Sequence, residues 1–148
     1  GIMGRRIKFG FDTKGFEDVA ARFDGLGGDL QAFFTDQLEQ IGETVGEDTL
    51  EAVRASNLPA GGKYSQGDTE KSIIRNPKVS WTGNIGSLPI GFDYAKPGAG
   101  GFLITGTPRM KPDHKLETIY ARKKYCAGLM KEVSDALTEE IGRRMKGG

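Results

Sequence analysis

At 148 residues, with 36% hydrophobic and 28% charged side chains, the chain is long enough to bury one core and reads as a single globular domain spanning 1–148. Its net charge of +1 argues against a strongly basic nucleic-acid binder, and no apolar run approaches the ~20 residues of a membrane helix. One cysteine, Cys126, cannot form an internal disulfide, and with no secretory-signal pattern a reducing compartment is expected.

Ile7, Phe9 and Phe11 alternate with Lys8 and Gly10, the pattern of a half-buried strand. Asp12 or Thr13 can cap a helix carrying Phe16, Val19, Ala20 and Phe23 on one face and ended by Gly25, Gly27 and Gly28. Asp29 then caps a long amphipathic helix to about Ser56, with Leu30, Phe34, Leu38, Ile41, Val45, Ala52 and Val53 near helical spacing. Gly42 and Gly46 lie four apart on it, each costing about 1 kcal/mol against alanine. Two readings stay open: a close helix or backbone contact, one that could run across subunits, or a tolerated local weakness or bend.

Residues 57–71 are polar and glycine-rich and read as a flexible loop. Ser72 to Trp81 reads as a strand broken at Asn76-Pro77, where a proline implies an edge or bulge. Thr82-Gly83-Asn84 turns the chain into a returning strand, Ile85 to Tyr94. A second flexible loop covers 93–101. Phe102 to Thr105 reads as a third short strand, stopping at Gly106-Thr107-Pro108. Asp113 or His114 then starts a final helix to about Met145, with Leu116, Ile119, Tyr120, Leu129, Met130, Val133, Leu137 and Ile141 in its apolar stripe. The expected fold class is α+β: a small, mainly antiparallel sheet packed with a long N-terminal amphipathic helix and a long C-terminal helix.

No catalytic constellation emerges. His114, the only histidine, stands beside Asp113 without a nucleophile spaced to complete a relay, so capping or solvent exposure is expected. Cys126 sits mid-helix as a packing residue, and one Cys with one His does not make a tetrahedral metal site. Gly98-Ala-Gly-Gly101 lacks the Gly-Lys-Ser/Thr ending of a phosphate loop. Neither cofactor nor metal is expected, and the chain is not read as an enzyme.

Charge is uneven. Between Lys14 and Ser56 acids far outnumber bases, whereas from Arg109 onward bases prevail, with Arg122-Lys123-Lys124 prominent. An acidic and a basic element in a near-neutral chain suit complementary contacts within or between subunits, or are simply two solvated helix faces. Lys71, Arg75 and Lys78 add scattered positive charge that a polyanion could use. Gly42, Gly46, Arg122, Lys123 and Lys124 are the candidate assembly interface. Lys63, Tyr64, Tyr94 and Lys96 are the candidate partner-contacting loop residues.

Several short stretches carry a resemblance: the glycine-interrupted helix pair from Phe16 to Ser56; Pro59 followed by Gly67-Asp68-Thr69 and Lys71-Ser72-Ile73; and Gly106-Thr107 with Met110 and Pro112 before the last helix. In these, over roughly residues 7 to 145, the chain resembles the tail-completion or head–tail joining (neck, minor capsid) proteins of long-tailed bacteriophages and prophages. It departs from them in a longer loop between Pro59 and Ser72, and in an aromatic segment reduced to Ile119-Tyr120-Ala121. The resemblance implies a structural virion protein, made in the host cytoplasm and forming a ring, a hexamer, at the head–tail junction. There it would contact the head-connector and tail-tube proteins, touch channel DNA without reading its sequence, and involve no membrane. A tail terminator capping the tube is the nearest alternative. A small DNA-binding regulator using the basic C-terminal helix, and an enzyme with a site assembled between subunits, are the readings from other classes.

Overall fold

The computed structural model describes residues 2–3, 6–10, 26–83 and 85–147. The first predicted helix, with Phe16, Val19, Ala20 and Phe23, lies outside these residues. The fold is α+β, built around one long central helix, α1 (Leu26–Arg54). Leu30, Phe34, Leu38, Ile41, Val45, Thr49, Ala52 and Val53 recur every three or four residues, and all are buried. That stripe packs against the sheet and three of the other helices. Fully burying each large apolar side chain is worth roughly 1.5–3 kcal/mol. The helix begins at Leu26 and runs through Gly27 and Gly28, so these glycines do not end a preceding helix and Asp29 is not its cap. Once the apolar stripe is docked, its burial outweighs about 1 kcal/mol per glycine.

Strands β1 (Ile2–Met3) and β2 (Arg6–Gly10) run antiparallel to β5 (Phe92–Asp93) and β4 (Ile85–Pro89). Both pairings hold the same register, Ile2 opposite Asp93 and Gly10 opposite Ile85. On the other side of the 85–93 segment, β3 (Ser80–Thr82) pairs with β4, and Ile73 bridges Phe92. The strand expected over 72–81 forms only at its ends: Ser72 is helical, Ile73 makes a single bridge, β3 starts at Ser80, and 74–79, part of a stretch two residues longer than the 87–92 stretch it faces, bulges out between them. Asn76 sits there with φ 48°, followed by Pro77. The bulge is pinned to α1. Glu43 accepts from the Asn76 N–H at 2.8 Å and from Arg75, and Glu39 accepts from the Val79 N–H at 2.9 Å.

Three expectations are corrected. The segment read as loop over 57–71 contains α2 (Gln66–Ser72), capped by the Ser65 hydroxyl, which accepts from the Asp68 N–H at 3.1 Å. Phe102 to Thr105 is not a strand but part of α3 (Gly100–Thr105). Its two buried apolar side chains, Leu103 and Ile104, are adjacent, as a helix allows and an alternating strand does not. The C-terminal helix is two helices, α4 (His114–Tyr120) and α5 (Lys123–Gly147). Tyr120 and Tyr125 both bond α1, Tyr120 to Thr49 at 2.7 Å and Tyr125 to Asp48 at 2.6 Å. Five residues apart on one straight helix they would diverge by about 140°. The break at 121–122 lets both face α1.

Candidate functional site

Residues 58–64 and 92–102 meet on one side of the molecule because α2 ties them together. Thr69, wholly buried on α2, bonds the Ser65 carbonyl at 2.7 Å, and its hydroxyl oxygen accepts from the Ala99 N–H at 2.9 Å. Gly98 (φ +153°) lies against Thr69 and Ser72, where a side chain would be crowded, and a Cβ on Gly100 would overlap the Phe92 ring. These close approaches draw the 97–100 backbone onto the core and leave a cleft of about 210 Å³ above it.

All four residues singled out as partner-contacting, Lys63, Tyr64, Tyr94 and Lys96, line this cleft, together with Phe102. Tyr64 and Phe102 meet edge to face at 5.5 Å, and the Lys63 ammonium lies 5.6 Å from the Tyr64 ring centre. Tyr64, Tyr94 and Phe102 are 44%, 59% and 43% exposed, so three aromatic side chains stand partly in solvent beside two lysines. Sequence reasoning missed Phe102 because it assigned that residue to a strand. Exposed aromatic side chains of this kind are a frequent feature of protein-contact surfaces.

The other candidates sit elsewhere. Gly42 and Gly46 are buried and open onto the chain's own bulge: a Cβ on Gly42 would overlap Pro77 and lie 3.1 Å from Leu88, and one on Gly46 would lie 3.1 Å from Arg75. Their close contact is therefore intrachain, which removes them from a free assembly face. Arg122, Lys123 and Lys124 occupy the α4–α5 joint and the first turn of α5 rather than a helix midpoint, all exposed, with Arg122 paired to Glu117 at 3.0 Å.

Some of the charge is paired inside the chain, but none of these pairs joins the acidic helix to the basic C-terminal stretch. Glu43 pairs with Arg75, Glu39 with Lys78 at 3.6 Å and Glu70 with Arg54 at 3.4 Å. The Arg75 guanidinium, then the Asn76 N–H, holds the Glu43 carboxyl below its ordinary range. On α5, Glu140 pairs with Arg143 and Arg144, and Lys131 with Asp135.

A second concavity of about 320 Å³ lies between α1, α4 and the start of α5. It is lined by Asp48, Glu51, His114, Lys115 and Tyr125 over a floor of Ala52 and Ile119. Burial, and then its bond to Asp48, pushes the Tyr125 hydroxyl above its ordinary range. Burial pushes the Tyr120 hydroxyl up to about 12. Asp113 caps α4, accepting from the Leu116 N–H at 3.1 Å, so His114 is the exposed first residue of that helix. Cys126 is half-buried. Among the described residues no group of three His, Cys, Asp or Glu side chains could hold a metal ion, and no helix is long and apolar enough to cross a membrane.

No protein-family model matches the chain, and no curated protein or solved structure is significantly similar to it.

Proposed function

We propose that the protein is a structural assembly component that works by docking, forming a ring at a phage head–tail junction that joins tail to head and keeps the DNA channel continuous. The observation that carries the docking part is the cleft, where Tyr64, Tyr94 and Phe102 stand partly in solvent beside Lys63 and Lys96. Interfaces concentrate their energy in such aromatic anchors, and the lysines add orientation and steering. The phage setting, the hexamer and the contacts with head-connector, tail-tube and DNA rest on the sequence resemblance. The pairing of Arg143, Arg144 and Lys131 with neighbouring acids weighs against a regulator that grips DNA through α5.

Deleting the coding segment from its phage or prophage and imaging the particles tests this reading. Filled heads beside finished, unattached tails of normal length are the expected result. Overlong tails would move the assignment to a terminator. Joined, infectious particles would overturn both.

A further inference from the structure

The two concavities differ in a way that suits them to each other. The turn at the rim of the aromatic cleft is held by its own hydrogen bonds: Asp93 Oδ1 accepts from the Ala95 N–H at 2.9 Å and the Asp93 carbonyl from the Lys96 N–H at 3.1 Å. This presents Tyr94, at 59% the most exposed large hydrophobic side chain among the described residues, on a preformed tip next to exposed Lys96. Little ordering entropy remains to be lost on contact. The groove between α1 and α4 has the complementary makeup. Its floor is Ala52 and Ile119, the Tyr125 ring lines it, and it is two-sided in charge: the α1 wall carries Asp48 and Glu51, the α4 side His114 and Lys115, so the acidic complement to a lysine is the α1 wall alone. Asp48 already accepts from Tyr125, whereas Glu51 is exposed and has no ion pair among the described residues.

We propose that successive copies of this chain meet by inserting the 93–97 turn of one copy into the Glu51 groove of the next, Tyr94 against the Ile119 floor and Lys96 against Glu51. This rests on the ring reading above and names the partner of the cleft's Tyr94 edge as a second copy. Turn and groove share no residue, so a contact made in one direction only leaves a free turn and a free groove at the ends, from which a ring closes when the rotation between copies allows it.

Sedimentation of the full chain across concentration tests it, with Tyr94→Ala, Lys96→Glu, Glu51→Lys and the double charge swap Lys96→Glu/Glu51→Lys. All three side chains are exposed, so folding should persist, and Trp81 emission checks that it does. Tyr94→Ala and each single reversal should weaken self-association by roughly tenfold or more, and the double swap should return it to within about threefold of wild type. Rings in wild type that persist unchanged in every variant would overturn this interface and leave the ring reading standing. Single reversals that break assembly without rescue by the double swap would overturn the Lys96–Glu51 pairing. A wild-type chain that stays monomeric at all concentrations would overturn the interface and the ring together.

Discussion

Replacing Gly42 with alanine sets two effects against each other. In the interior of a helix such as α1, alanine is favoured over glycine by up to about 1 kcal/mol. The added methyl, however, would overlap Pro77 and lie 3.1 Å from Leu88, which is wholly buried. Pro77 cannot easily retreat, because Glu43 holds Asn76 and Arg75 on one side and Glu39 holds Val79 on the other. Forcing a methyl into such a site costs roughly 1–3 kcal/mol, so Gly42→Ala should destabilise by about 1 kcal/mol net. Gly128 on α5 is the control, since a Cβ there meets nothing within 4 Å and alanine should stabilise by up to about 1 kcal/mol. Urea unfolding followed by the single tryptophan reads both variants. Trp81 Nε1 donates to Thr35 on α1 at 2.7 Å, so its emission reports the sheet–helix contact. The two midpoints should move in opposite directions. If Gly42→Ala proves as stabilising as Gly128→Ala, the bulge is not locked onto α1.

Three further outcomes are expected. Tyr120→Phe should cost about 1 kcal/mol, because Thr49 keeps its bond to the Val45 carbonyl, whereas Thr49→Val should cost more, roughly 1–3 kcal/mol, by stranding the buried Tyr120 hydroxyl; chemical denaturation compares the two. Since burial raises Tyr120 from 10.0 to about 12, the folded state holds that proton more tightly than the unfolded one. Its contribution is complete below pH 10 and is lost as pH rises through about 12, a fall that Tyr120→Phe should flatten in a stability–pH profile. Lys123→Glu/Lys124→Glu places acids in the first turn of α5, where the helix dipole favours them by about 0.3–1 kcal/mol each, so thermal stability should hold or rise. Weaker self-association in that variant would then report a basic contact face rather than misfolding, and unchanged association would remove the triplet from the interface.

Much of the architecture was legible where periodicity was long. The apolar stripe from Leu30 to Val53 specified α1, and Pro77 announced the bulge. Short segments were not. Phe102 to Thr105 offered only a brief apolar run, which strand and helix share, and the choice fell to Gly100 packing on Phe92. The cap of α2 was present in Ser65 and Asp68, but Gly67 and the polar residues around it read as loop. Nothing in Ala121-Arg122 marks a break, which tertiary contacts of Tyr120 and Tyr125 impose. Lys63, Tyr64, Tyr94 and Lys96 were visible as loop residues, yet their convergence was not, since it depends on Thr69 bonding Ala99, thirty positions away.

The proposed head-to-tail joining of copies predicts a closed oligomer in solution. Native mass spectrometry of the purified full chain over a range of concentrations is the sharpest check on it. A single discrete closed species of about six copies, giving way to monomer on dilution without dimer-only intermediates, is the predicted result. A chain that remains monomeric throughout, or stops at a symmetric dimer, would contradict it.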